Sequence, residues 1–264
     1  MHAPIVFVTD FGTADTYAAA LAAACWRVDP QLTAIAGMHE VPPGDVLAGA
    51  YHLKAMALAM PPGAVLCAVV DPGVGSDRAA LAVDAGGTLC VVPDNGLVSY
   101  LWAEAELRGR RCVRLPVPGD ASATFHGRDL FAPAAARLAT GVALEELGEP
   151  LDRAPVLCDR AFCGDRGDVL HGVVCVVDRF GNAITTGRSA DLRGRAIAAV
   201  EWEGGATEQV VRTYAGISDG VGALVGSAGH VELAGRGVAT EVLGGPGRGA
   251  AVRVRLAVPM GTPR

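Results

Sequence analysis

Four apolar runs in this 264-residue chain end in the same residue type: IVFVT before Asp10, VLCAVV before Asp71, LCVVP before Asp94 and VVCVV before Asp178. The first three are almost unbroken in apolar residues, the pattern of strands covered on both faces rather than on one. Segments with helix-like spacing separate them, around residues 14 to 28, 45 to 60 and 97 to 108, and Asp45 stands where a helix N-cap belongs. Covered strands alternating with helices predict an α/β domain whose mostly parallel sheet is sandwiched by helices. Ligands of such sheets bind beyond the carboxyl ends of the strands, where Asp10, Asp71 and Asp94 would project. A single Asp after a strand is as readily a turn cap as a ligand contact, but three on one edge point to a cleft.

Beyond about residue 165 the pattern changes. Short alternating segments, DVLHGVVCVVD, AIAAVEWEG, TEQVVRTY and AAVRVRLAV, are separated by Gly-rich turns and read as strands of an all-β, barrel-like domain. We expect an N-terminal domain over 1–150, a Pro-containing linker over 151–166 and a C-terminal domain over 167–264. With 51% hydrophobic and 19% charged residues, a chain of this length can bury a core without disulfides or a structural metal.

Composition removes several function classes. Lys54 is the only lysine, so no GxxxxGK[ST] phosphate loop exists. A net charge of −6 with scattered arginines argues against a nucleic-acid partner. The seven cysteines form no CxxC pair, which predicts no zinc site, and no segment is long enough to span a membrane. The N-terminus has no basic leader, and a reduced, cytoplasmic protein is expected.

Two short motifs carry little. GISDG at 216–220 fits the nucleophile elbow of serine hydrolases, but a Gly-rich β segment follows where that elbow needs a helix. GGPGRG at 244–249 precedes a strand, so it reads as a turn rather than a phosphate loop. DPGVGSDR at 71–78 is more specific: a Pro and two Gly directly after a buried strand make a sharp turn that brings Asp71 and Arg78 to the sheet edge together. TFHGRD at 124–129 puts His126 at the mouth of a helix-like segment. RFGN at 179–182 offers an aromatic face beside polar groups, suited to a purine and equally to a tight β turn.

TDFGTADTY, DPGVGSDR, PDNGL, TFHGRD and DRFGN occur in the order found in the S-adenosylmethionine hydroxide adenosyltransferases, which the chain resembles from about residue 5 to residue 256. The same superfamily contains fluorinase and chlorinase enzymes. The resemblance implies a homotrimer that binds substrate between one subunit's N-terminal domain and its neighbour's C-terminal domain. It implies that Asp10 holds the ribose hydroxyls and that Asp15 and Asp178 bind the methionine ammonium. Asn182 would contact adenine or methionine, Phe180 the purine face, and Tyr214 and Ser227 the adenine and the methionine carboxylate. Asp71, Arg78 and His126 match the trio assigned to water activation. Locally the chain departs from its relatives at AAALAAA, 18–24, and at Thr185–Thr186.

The implied reaction is hydrolysis of S-adenosyl-L-methionine, which is substrate and not cofactor, to adenosine and L-methionine, with no cofactor or metal. The alternatives are halide-dependent adenosyl transfer on the same fold, and a non-catalytic adenosine or S-adenosylmethionine sensor that would not need the Asp71, Arg78 and His126 set.

Overall fold

The computed structural model describes residues 2–106 and 109–257. The chain divides after Cys158 into two compact units. In the first, the order is β1 (Ile5–Thr9), α1 (Tyr17–Val28), β2 (Ala34–Met38), α2 (Val46–Ala59), β3 (Val65–Val69), β4 (Ala80–Ala85), β5 (Thr88–Pro93), α3 (Ser99–Glu104), β6 (Arg110–Arg114), α4 (Ala132–Ala139) and β7 (Glu149–Pro150). These strands form one sheet in the order β2-β1-β3-β5-β4-β6-β7. β1 runs parallel to β2 and β3, and β3 parallel to β5; β4 is antiparallel to both of its neighbours, so β1, β2, β3, β5 and β6 share one direction.

Helices pack in two pairs, α1 with α4 and α2 with α3. Ile5, Phe7, Val65, Cys67 and Val69 share a core with Leu21 of α1 and with Phe131 and Ala135 beside and within α4. The alternate residues face the other layer: the bare Gly37 backbone approaches Val6 and Met56, and Gly49 of α2 lies against Val70 and Leu97. Every residue of β1 and β3 is buried, which is why their sequences lack alternation. Asp45 caps α2 by accepting the Ala48 N–H at 3.0 Å. The helix expected over 97–108 is α3, closed at Glu104 with Ala105 extended; residues 107–108 lie outside the described residues.

In the second unit, β8 (Gly164–Arg166), β9 (Val169–Val177), β10 (Ala183–Arg188), β11 (Ile197–Trp202), β12 (Gly205–Thr207), β13 (Val221–Val225), β14 (His230–Gly235) and β15 (Ala251–Leu256) form an antiparallel sheet in the order β12-β11-β15-β9-β10-β14-β13, with β8 on β9. β15 shows the period of two plainly: Val252, Val254 and Leu256 are buried while Ala251, Arg253 and Arg255 are exposed. Bonds from Val211 N to Ala223 O and from Ala223 N to Gln209 O tie the segment after β12 to β13, curling the sheet towards closure.

Two expectations change here. TEQVVRTY is not a continuous strand, because β12 ends at Thr207 and the Gln209 side chain instead binds Ser218 N and the Asp219 carbonyl, drawing the chain into a loop. Part of the stretch read as a linker is ladder: Gly164–Arg166 pairs with His171–Val169.

All seven cysteines are free. Burial pushes the thiol of Cys25 up to about 11, that of Cys163 to about 11 and that of Cys112 to about 12, with Cys67 and Cys90 raised further. An unfolded chain releases these protons near the ordinary thiol value of 9, so the folded state binds more protons above it and stability falls as pH rises. Urea midpoints should therefore drop steadily from pH 9 to 11; a flat profile would show the thiols to be accessible.

Candidate active site

Strand order reverses between β1 and β3: β1 is followed by a crossover to β2 on one side, and β2 by a crossover to β3 on the other. Strand ends flanking such a reversal splay apart and leave a crevice. A cleft of about 450 Å³ opens there, lined by Asp10 and Phe11 after β1, Asp71, Pro72 and Val74 after β3, and Thr124 to Gly127 before α4. Asp10 is pinned by the Gly44 N–H, which donates to its Oδ2 at 2.8 Å.

The turn after β3 folds back through Val74 N to Asp71 O and Ser76 N to Gly73 O. Gly75 has φ +78°, and a Cβ there would lie 2.6 Å from the Ala123 carbonyl, so only glycine lets this turn close on the 122–126 segment. The closure assembles the trio. Arg78 Nε donates to Asp71 Oδ1 at 2.8 Å and its Nη2 to Asp71 Oδ2. The same Nη2 lies 3.1 Å from His126 Nδ1. Guanidinium has no acceptor, so Nδ1 must be the unprotonated nitrogen and Nε2 carries the hydrogen. The Asp71 and Arg78 side chains are 6% and 10% exposed, and the guanidinium stacks on Phe131.

His126 opens a π-helical turn, Gly127–Phe131, a distortion common at functional sites. Asp129 anchors this turn by accepting from Ser122 N and from Arg128, whose hydrogen bond holds the carboxyl below its ordinary range. A Cβ on Gly127 would meet Phe11 at 3.1 Å and Leu21 at 3.3 Å, so the wall beside His126 is closed by apolar carbon. Phe11, Tyr17 and Phe125 form an aromatic cluster at the cleft, with Phe125 edge-to-face to both of the others.

Asp94 does not join them. Its carboxylate accepts from Arg153 and from Val156 N, fastening the 153–156 segment to the strand end. Asp15 lies on the exposed loop before α1, outside the cleft lining.

The second unit carries a cleft of about 480 Å³ lined by Asp178, Phe180, Asn182 and Tyr214, with Gly235, Gly237 and Val238. Asp178 caps its own turn: Oδ1 accepts from Phe180 N and Asn182 N, and Oδ2 from Asn182 Nδ2 at 2.9 Å. That leaves Phe180 79% exposed over the cleft. Ser227 is exposed and outside this lining. Ser218 of the elbow-like motif hydrogen-bonds Gln209, and β13 rather than a helix follows it, so the motif is a turn. Among the described residues, no three His, Cys, Asp or Glu side chains converge as a metal site, and no helix is long and apolar enough to cross a membrane.

Sequence reasoning missed Glu232. Its carboxylate is buried in β14 and accepts the Tyr214 hydroxyl at 2.7 Å. Burial raises its carboxyl above the ordinary range; Asp178 adds to this and the Tyr214 bond opposes it. The available signal was a lone carboxylate in the buried alternating segment HVELAG.

Comparison with known proteins agrees with this picture. The N-terminal domain of the SAM hydroxide adenosyltransferases matches residues 5–148 and their C-terminal domain residues 172–250. An (R)-S-adenosyl-L-methionine hydrolase of Thermus thermophilus is 40% identical over 91% of this chain and 95% of its own, and one of Salinispora tropica 43% identical over 67% and 69%. An uncharacterized conserved protein from Thermotoga maritima superposes with TM-score 0.83 at 27% identity, covering 95% of this chain and 99% of that one. Two domain matches in order and a relative aligned along nearly the whole length leave one assignment: the chain belongs to the SAM hydroxide adenosyltransferase family.

Proposed function

We propose that this chain hydrolyses (R)-S-adenosyl-L-methionine to adenosine and L-methionine. The observation carrying the proposal is the buried Asp71, Arg78 and His126 network beside Asp10 in one strand-end cleft. The substrate's sulfonium leaves as a neutral thioether, so the departing group needs no proton. The nucleophile is the harder part, because water is a weak attacker until a base accepts its proton, a contribution of about 10² to 10⁴ in rate.

Arg78 fixes how the trio can act. It occupies the Nδ1 lone pair of His126, so the imidazole presents Nε2–H and orients the attacking oxygen by donating to it. Proton acceptance then falls to the remaining lone pairs of Asp71. The O–C5′ bond forms as C5′–S breaks, the bond pair goes to sulfur, and the water proton goes to the carboxylate. Asp10 holds the ribose hydroxyls so that C5′ stays in line. Asp178, Phe180, Asn182 and Tyr214 take the adenine and methionine portions, with Asp15 and Ser227 as further contacts.

We assign a homotrimer in which the first-unit cleft of one subunit meets the second-unit cleft of its neighbour, since each carries only part of the ligand's complement. Sedimentation should give three chains, and a fully active monomer at nanomolar concentration excludes the shared site. The seven free cysteines suit a reducing compartment, in keeping with a cytoplasmic enzyme.

With S-adenosylmethionine in halide-free buffer, chromatography should show adenosine, and adenosine should stay dominant in molar chloride or fluoride at constant ionic strength. The carboxylate of Asp71 repels an anion but accepts from water, and Phe11 and Leu21 pack close against Gly127. A 5′-halo-5′-deoxyadenosine as main product would assign halide transfer instead, and binding without turnover would leave a sensor.

A further inference from the structure

Glu232 is 5% exposed, and among the described residues no Lys, Arg or His pairs with it. Its strand neighbours Val231 and Leu233 enter the barrel core, while Glu232 faces the other way towards Tyr214 and Gly226. A Cβ on Gly226 would fall 1.7 Å from Glu232 Oε1, so the carboxylate rests on bare backbone and any other residue at 226 would displace it. Burying a carboxylate without a counter-ion is costly, and no fold-level need for this one is visible in the sheet. Its partner is the phenol of Tyr214, 46% exposed at the second-unit cleft, whose ionisation is pushed up to about 12 by burial, by the Glu232 hydrogen bond and charge, and by Asp178.

A phenol has one proton to give and lone pairs to receive with. At Tyr214 the proton is spent on Glu232, so towards the cleft the oxygen can only accept. Beside it, Asn182 spends one of its two amide hydrogens on Asp178 and keeps a carbonyl that can receive. We propose that Glu232 is a positioning residue which fixes Tyr214 as a hydrogen-bond acceptor, making this cleft select a ligand N–H donor and reject the analogue lacking one. The inference rests on the hydrolase reading, in which the substrate offers two such groups, the adenine amine and the α-ammonium. It also turns the Tyr214 oxygen away from a carboxylate.

The test uses calorimetry on the full-length protein. Adenosine is compared with purine riboside, which has a hydrogen in place of the amine and no N–H on the base, and L-methionine with 4-(methylsulfanyl)butanoate, which lacks the ammonium, the latter pair in the presence of adenosine. One pair should differ by about tenfold or more in the wild type, since a site built to accept a donor is left unpaired by the analogue. That ratio should shrink to within about threefold in Tyr214→Phe, which removes the acceptor, and in Glu232→Gln, whose amide lets the phenol proton turn outwards. Glu232→Gln should also raise KM for S-adenosylmethionine more than it lowers kcat. Whichever pair collapses names the donor. Equal affinities within both wild-type pairs, or ratios untouched by Tyr214→Phe, overturn the proposal; the half-exposed Tyr214 keeps this arm open even if Glu232→Gln does not fold. Amine selectivity in a wild type that does not turn over S-adenosylmethionine would defeat the hydrolase reading while leaving the acceptor role standing.

Discussion

Asp71→Asn should lower kcat by about 10² to 10⁴, the range for losing a positioned base, while adenosine affinity changes by no more than about a few-fold. Asn keeps the shape and can still accept from Arg78, but cannot take a proton from water. The substitution has a second effect that has to be separated from the first. It strands the Arg78 guanidinium, 10% exposed, without its counter-charge, and breaking one side of a buried pair costs about 3 to 5 kcal/mol. The thermal midpoint should fall with the rate. Asp71→Asn/Arg78→Met separates them: it removes both charges, lets the new side chain pack on Phe131 and so recovers much of the stability, yet supplies no base. Single-turnover assays well below the melting transition should find both variants slow. If the double variant regains activity along with its midpoint, Asp71 serves the fold and not the chemistry.

The frame of this molecule was legible because it is written in long-range pattern. Continuous apolar runs come from strands covered on both faces, and Asp at their ends comes from the chain turning at one sheet edge. The same pattern could not rank the carboxylates. Asp10 and Asp71 flank the reversal of strand order, whereas Asp94 leaves β5 one strand away and is consumed by Arg153 and Val156 N, a pairing across about 60 residues that no spacing reveals.

Side-chain polarity is the other blind spot. The resemblance places His126 in the water-activating trio without saying which way its hydrogen bonds run, and only the position of Arg78 Nη2 shows that Nδ1 is already engaged. DRFGN reads equally as a turn and as a ligand contact; the turn is there, with Asp178 capping it and holding Phe180 out over a cleft. TEQVVRTY keeps strand-like alternation, yet its pairing with β11 stops at Thr207 and Gln209–Val211 bond to β13 instead, with the Gln209 side chain tied to Ser218 N and the Asp219 carbonyl. Glu232 was passed over because alternation marks it as facing away from the barrel core, which in most sheets means solvent; here that face is covered.

Asp10→Ala should separate binding from chemistry in the opposite sense to Asp71→Asn. The Asp10 carboxylate is oriented by one backbone donor, Gly44 N on Oδ2, and the contacts proposed for it are to hydroxyls present before, during and after attack. Interactions of equal strength in ground and transition states set affinity rather than turnover. Hydrogen bonds to a charged group contribute about 1.5 to 3 kcal/mol each, and two of them, discounted for non-additivity, predict a loss of about 10²-fold in adenosine affinity. kcat at saturation should fall by much less, through looser alignment of C5′. Loss of Asp10 costs little stability, since it is only half-buried and Gly44 N can bind water in its place. The hydroxyl contacts are read from 2′-deoxyadenosine and 3′-deoxyadenosine: each should bind the wild type more weakly than adenosine, and Asp10→Ala should hold all three nucleosides alike. If instead the deoxy penalties persist in Asp10→Ala, or kcat collapses while affinity holds, the ribose is gripped elsewhere and Asp10 belongs with Asp71 at the attacking water.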